Sequence, residues 1–375
     1  MDDAHLTVSL ITLGDPGRLT GGYLYHRRMA ELAPAHRATV RFVSLAERPF
    51  PLPAVTGAFV LRRAALPPIR HGAPAGSSGR SHVVVLDSIA AAFLGPWLAA
   101  TPSVAPPLVG SLHQPPGGID HGPVRRTVQA PLDRLAWRRA RMLVVASQAL
   151  AEHLTAEGFP RERIRLVPPG RDVAPVPSGP PPELRAARRA SLLCVANWVE
   201  RKGILPLLEA VAQLPEGLGT LHLAGDDHAD PRYAARVRAR LSRPDLAGRV
   251  VVHGPLPREQ VAALYKAADL FVLPSFREPY GTVWGEAMAF GLPVIGWRAG
   301  NLPHLAEHGR EGLMASPGDV EALSRALARL AADEALRRRM GEAARRRAAD
   351  RPTWEQSAAL FFSALREVAH GKGPV

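Results

Sequence analysis

Short apolar runs and helical patterns alternate along almost the whole chain, in two series split by a proline-rich break. That order is the signature of βαβ units and parallel sheets, and it constrains the fold more than any other feature. In the first series the runs predict strands at Leu6–Leu13, Ala38–Leu45, His82–Leu86, Leu108–Leu112, Met142–Ala146 and Ile164–Val167. Helical patterns lie between them, as at Tyr23–Leu32, Ile89–Ala99, Arg125–Arg139 and Ala149–Glu157. Asp172–Pro182 carries prolines at 175, 177, 180, 181 and 182 with Ser178 and Gly179, and reads as a linker. A second series follows, with strands near Leu192–Ala196, Thr220–Ala224, Val250–His253, Leu270–Leu273 and Val294–Gly296. The fold class is therefore α/β, as two Rossmann-like domains in tandem. The expected division is 1–172, a linker at 173–190, a second domain at 191–350, and a C-terminal helix and tail at 351–375. The cleft between two such domains is the default place for chemistry.

The bend Glu278-Pro279-Tyr280-Gly281-Thr282-Val283-Trp284-Gly285-Glu286 carries the strongest chemical signal. A strand-like run ending at Ser275 leads into it, and a helix-like run from Glu286 leaves it. Two carboxylates, with seven residues between them, thus sit on one strand-to-helix turn, at the carboxyl end of a strand where α/β sheets bind ligands. Unpaired N–H groups and the helix dipole there suit an anionic or polyhydroxylated ligand.

Weaker signals accompany it. Gly21-Gly22 follows the first strand and precedes a helix, so it serves either as a structural turn or as a close approach to phosphate. His113 stands at a strand's carboxyl end, either as a packed histidine or facing the cleft. Arg201-Lys202-Gly203 follows the first strand of the second series; two cations there make either a surface pair or a diphosphate clamp. Asp226 and Asp227 read as helix-start residues. No full GxGxxG, Walker A sequence, nucleophile elbow or metal-spaced His/Cys/Asp cluster is present, so no metal or cofactor is expected.

Charge narrows the partners. The net charge is +13, and lysine occurs only at Lys202, Lys266 and Lys372, leaving 44 of the 47 basic residues as arginine. No basic face interleaved with aromatics is visible, which argues against nucleic acid. Attraction to anionic membrane or phosphate-bearing substrates, and a general arginine bias spread over solvated surface, both remain open. The segment Val124–Arg141, with Trp137 among arginines, reads either as an ordinary amphipathic helix or as a face lying on anionic membrane, which would suit a lipid-linked acceptor. The tail predicts amphipathic helices at Glu334–Ala349 and Trp354–Ala369, with Arg337-Arg338-Arg339 and Arg345-Arg346-Arg347 as a solvated face. The acidic start Met1-Asp2-Asp3 is unlike a signal peptide, and no run reaches the ~20 apolar residues of a membrane span. Cys194, the single cysteine, lies in a predicted buried strand and reads as inert packing. A cytoplasmic protein follows, with peripheral contact at the inner membrane face left open; oligomeric state is not legible.

Taken in order, these segments resemble the family 4 retaining glycosyltransferases of GT-B fold. Glu278-Pro279-Tyr280-Gly281 through Glu286-Ala287-Met288-Ala289-Phe290-Gly291-Leu292-Pro293-Val294 looks like the family's E-x7-E motif. Gly21-Gly22 matches its N-terminal glycine loop, Val167-Pro168-Pro169-Gly170-Arg171-Asp172 its pre-linker segment, and Glu200-Arg201-Lys202-Gly203 its donor-phosphate lysine region. The resemblance implies an N-terminal acceptor domain, a C-terminal nucleotide-sugar donor domain facing it across a cleft, and a C-terminal helix returning towards the first domain. It implies catalytic roles for Glu278, on the reacting face of the transferred sugar, for Lys202, at the leaving diphosphate, and for His113, near the donor sugar. Backbone N–H groups from Tyr280 and Gly281 to Thr282, with Val283 beside them, would hold the donor; Glu286 would accept from the ribose, and Gly22 would approach the diphosphate. The substrate would be a nucleotide-diphosphate sugar, with no metal, and a small-molecule, glycan or lipid-linked hydroxyl as acceptor. Two positions depart from the family. Ala196-Asn197 stands where it has G-R, so Arg201 would replace that arginine from beside Asn197; Gly300-Asn301-Leu302-Pro303-His304 lacks a second glycine and a glutamate. Alternatives are a non-catalytic nucleotide-sugar binder that kept the fold, or another GT-B activity such as phosphorolysis or epimerisation.

Overall fold

The computed structural model describes residues 5–17, 21–66, 81–101, 105–171 and 182–371. Residues 172–181 of the proline-rich break lie outside them. The chain divides into two compact units, Met1–Gly170 with Pro352–Val375, and Arg171–Arg351.

In the first unit, β1 (Leu6–Leu13), β2 (Ala38–Leu45), β3 (Ser81–Asp87), β4 (Leu108–Leu112), β5 (Met142–Val145) and β6 (Ile164–Leu166) form one sheet in the order β2-β1-β3-β4-β5-β6. Every pairing is parallel, with Leu6 beside Ala38 through Leu13 beside Leu45. Parallel strands need crossover helices on both faces, which is why these strands read as unbroken apolar runs. The last helix, Trp354–Ala369, belongs here and not to the unit that precedes it. Its Phe361, Phe362 and Leu365 share a core with Leu6, Val8, Tyr25 and Met29 of β1 and the Gly21–Leu32 helix. Each fully buried phenylalanine contributes roughly 1.5–3 kcal/mol. Thr353 and Gln356 close a capping box at its start. Ser357 donates to the Pro168 carbonyl (2.8 Å), and Arg165 pairs with Glu367 (2.7 Å).

In the second unit, β7 (Ala190–Val195), β8 (Gly219–Ala224), β9 (Val250–Gly254), β10 (Leu270–Val272), β11 (Val294–Trp297) and β12 (Gly312–Ala315) take the order β12-β11-β10-β7-β8-β9, again all parallel. After β9 the chain returns to the other side of β7, so strand order reverses between β7 and β10. The corresponding reversal in the first unit lies between β1 and β3. Ligand crevices of open α/β sheets form at such points, beyond the strands' carboxyl ends.

The structure corrects some expectations and agrees with others. A helix covers Gly57–Ala65, which no element predicted from the sequence includes. Arg337 is not solvated: it is 5% exposed, and its Nη1 donates to the carbonyls of Leu330 and Ala331, both at 2.7 Å, which offsets part of the cost of burying it. The other five arginines of that run are exposed. Trp137 is buried, together with Gln129, Asp133 and Ala136, so apart from Pro131 the exposed apolar side chains of the Pro123–Arg139 helix lie at its beginning. Asp226 and Asp227 do not start a helix; Asp230 caps it, accepting from the N–H groups of Arg232 and Tyr233. Cys194 is buried, and burial pushes its thiol up to about 12, which keeps it unreactive. Among the described residues no helix is long and apolar enough to cross a membrane.

Candidate active site

In the second unit, the turns following β7 and β10 meet at the switch point. After β7 the chain runs through Asn197 to a short 3-10 turn, Glu200–Lys202, closed by Gly203 at φ 70°. A Cβ at Gly203 would lie 2.1 Å from the Pro274 carbonyl oxygen, so only glycine lets the two turns approach this closely. Phe276 N–H (2.8 Å) and Ser275 Oγ (3.0 Å) both donate to the Arg201 carbonyl and lock the turns together. The consequence is charge pairing across 76 residues. Lys202 Nζ bonds Glu278 Oε2, and Arg201 Nη1 lies 3.3 Å from the same oxygen. All three side chains are only 12–14% exposed. Two cations on one partly desolvated carboxylate leave a site rich in positive charge.

Glu278 is held from its other side as well. Asn301 N–H donates to the Glu278 carbonyl (3.0 Å), and Asn301 Nδ2 donates to the Tyr280 carbonyl (2.9 Å). The segment Gly300-Asn301, which departs from the family pattern, thus braces the acidic bend. The Tyr280 hydroxyl bonds Arg351, whose guanidinium also lies 5.2 Å from the ring centroid. Gly281, at φ 85°, caps the Thr282–Ala289 helix. The N–H groups at such a start lie beyond the reach of intrahelical carbonyls. Glu286, on the same helix, accepts from the Tyr265 hydroxyl (3.2 Å). Burial and the Glu286 charge push that phenol well up, so it remains a donor. Asn197 is exposed, and its Oδ1 accepts from Asp226 N–H at 3.2 Å.

In the first unit, Gly22 and His113 come together at the equivalent end of the sheet. A Cβ on Gly22 would meet the His113 ring at 3.6 Å. His113 packs edge-on against Tyr25 (4.7 Å between centroids) and His26 (4.9 Å). Behind them Asp87, at the end of β3, is buried; Thr12 donates to it at 2.9 Å, and His26 Nε2 lies 3.3 Å away. Burial pushes the Asp87 carboxyl up, but His26 and Thr12 outweigh it and hold the group below the usual range. Burial, then the neighbouring His26, lowers His113 to about 3, so its imidazole is neutral at ordinary pH.

The structure therefore brings Arg201, Lys202 and Glu278 into one cluster, sets Tyr280, Gly281, Thr282, Val283 and Glu286 along the adjoining bend and helix, and keeps Asn197 on the neighbouring turn. Gly22 and His113 form a separate pair in the other unit. Sequence reasoning missed Asp87, His26, Tyr265 and Arg351. Asp87 had a readable signal, a carboxylate ending an apolar run; the others sit in ordinary helix or loop patterns. Among the described residues no group of three or more His, Cys, Asp or Glu is arranged to hold a metal.

Comparison with known proteins bears on this geometry. The family description "Glycosyl transferases group 1" matches residues 181–347, and "Glycosyl transferase 4-like domain" matches residues 1–170. A D-inositol 3-phosphate glycosyltransferase of Corynebacterium jeikeium is 31% identical over 218 residues, covering 55% of this chain and 52% of that protein. The chain spans about half the length of the curated relatives it matches. Among solved structures, sucrose-phosphate synthase from Thermosynechococcus elongatus superposes with a TM-score of 0.76 at 22% identity, covering 97% of this chain and 99% of that one. The Anabaena protein HepE, solved in complex with UDP and glucose, gives 0.74 at 21% identity, covering 96% and 99%. At these identities the likeness speaks to the fold.

Proposed function

This chain belongs to the group 1, family 4 glycosyltransferases of GT-B fold, and on that premise we propose that it moves a sugar, with retention, from a nucleotide-diphosphate donor to a hydroxyl-bearing acceptor. The observation that carries the reading is the Lys202–Arg201–Glu278 cluster at the β7/β10 switch point, beside the start of the helix that carries Glu286. A diphosphate brought there would take over hydrogen bonds from Lys202 and Arg201, which then stabilise the charge that grows as it departs. Glu278, released from part of its pairing, would face the sugar at its reacting carbon. N–H groups at the start of the Thr282–Ala289 helix, near Val283, would hold sugar hydroxyls, and Glu286 would accept from the ribose with Tyr265 fixing its orientation. The bond from the anomeric carbon to the diphosphate breaks, the bond to the acceptor oxygen forms on the same face, and the acceptor's proton passes to the departing phosphate. No metal enters this scheme.

The second unit is accordingly assigned to the donor and the first to the acceptor. Gly22 and His113 are assigned to the diphosphate and the donor sugar on the family resemblance. The neutral imidazole of His113 fits a hydrogen-bonding role towards a hydroxyl better than a charged one. UDP-glucose is the first donor to test, because HepE was solved with UDP and glucose. A screen of nucleotide sugars for binding and slow hydrolysis tests the reading. Hydrolysis of one donor supports transfer. Asn197, standing where the family carries arginine, favours a second reading as a non-catalytic binder, and tight binding without any hydrolysis would support that instead.

A further inference from the structure

Large apolar side chains left exposed in the first unit gather on one stretch. Leu52, Val55, Phe59 and Leu66 are 51, 77, 67 and 62% exposed. Leu52, Val55 and Phe59 follow one another at spacings of three and four residues across the Leu52–Thr56 turn and the Gly57–Ala65 helix, and so share one face, with Leu66 just past the helix end. Arg62 and Arg63 are exposed between Phe59 and Leu66. The opposite face, through Pro53, Gly57, Val60 and Ala64, is the one that packs inward. A surface helix ordinarily turns charged and polar residues outward, so apolar groups on both faces need a second explanation.

Neighbouring elements extend the patch. Trp97, partly exposed, is fixed by donating its indole N–H to the Ala54 carbonyl at 2.8 Å. Arg125 stacks over the Phe50 ring at 5.2 Å, which sets the start of the Pro123–Arg139 helix, with exposed Val124 and Val128, against the same segment. Charge runs one way throughout. From Arg48 to Leu66 there are three arginines and no acidic residue, and the single acid between Gly122 and Arg141, Asp133, is buried.

We propose that this face of the first unit docks on an anionic lipid surface, with Val55 and Phe59 entering the boundary between headgroups and acyl chains while Arg62 and Arg63 bind phosphate. A membrane accepts both kinds of side chain at once. A second copy of the chain would set like charges against each other, and a nucleic acid would find few aromatic platforms.

Flotation of the full chain with vesicles of phosphatidylcholine, and of phosphatidylcholine mixed with phosphatidylglycerol, tests this without donor or turnover. A negative result therefore leaves the transfer reading standing. The wild type should float with the mixed vesicles only. Val55→Ser with Phe59→Ser, and separately Arg62→Glu with Arg63→Glu, should each weaken that binding at least ~tenfold with unchanged thermal melting. Failure of the wild type to bind, or binding as strong as the wild type's by both double variants, overturns the proposal. So does a dimer in size-exclusion chromatography that the Val55/Phe59 variant splits while no form binds vesicles.

Discussion

At Asp133 the chain buries a carboxyl that is only 2% exposed, although Gly117 N–H (2.8 Å) and Gln129 Nε2 (3.5 Å) donate to it. Burial outweighs those donors and pushes the group up to about 7. The folded state thus holds its proton longer than the unfolded chain, and stability falls as pH rises from about 4 to about 7. Asp133→Asn keeps an oxygen for Gly117 and removes the charge. It should be more stable than wild type by ~2–4 kcal/mol above neutrality and little different near pH 4, read by thermal melting at both. An equal difference at both pH values would contradict this. His113 shifts the other way. Its folded value of about 3 lies below the unfolded ~6.5, so the stability it contributes is present above about 6.5 and is lost as pH falls towards 3. Its ring resonances should not titrate between about pH 5 and 8; a midpoint near 6.5 by NMR would refute the buried neutral ring. Lys202→Ala removes one of the two cations on Glu278, and with the proposed role should cost ~3–4 kcal/mol of transition-state stabilisation, read as kcat/KM. Unchanged turnover there would remove the diphosphate clamp from the scheme.

Among elements, the turns after β7 and β10 carry the site, and Gly203 joins them. Gly203→Ala would force a left-handed residue into contact with Pro274, costing ~2–3 kcal/mol of the second unit's stability, measurable by calorimetry. A melting point unchanged from wild type would show that the turns have room to spare. The strands were readable because a parallel sheet covered on both faces demands unbroken apolar runs, as in Val83-Val84-Val85-Leu86. β12 was not, since Gly312-Leu313-Met314-Ala315 is short, opens on glycine and lacks β-branched residues. The Gly57–Ala65 helix escaped because Phe59 and Leu66, facing outward, blur its apolar stripe. Within the site, the spacing of Glu278 and Glu286 and the position of Lys202 after a strand were legible. The bond between Lys202 and Glu278 was not, because only the strand order β10-β7 makes those turns neighbours. Arg337 reads as one arginine in a solvated run until the carbonyls of Leu330 and Ala331 are seen to surround it.

On the scale of the molecule, the chain returns its last helix to the first unit after completing the second. Phe361→Ala, which empties a fully buried ring position in that helix, should destabilise the first unit by ~3–5 kcal/mol and leave the unfolding of Arg171–Arg351 unchanged. Differential scanning calorimetry reads both, and an equal drop in the two would contradict the division. The proposed transfer belongs to this scale too, since it needs donor and acceptor together. The most direct test of the account is the rate of sugar transfer by Glu278→Ala, measured with the donor that the nucleotide-sugar screen identifies. The account predicts that transfer is abolished while thermal melting stays close to wild type, because the change removes one carboxylate from beside Lys202 and no apolar core. Transfer near the wild-type rate in that variant would contradict it.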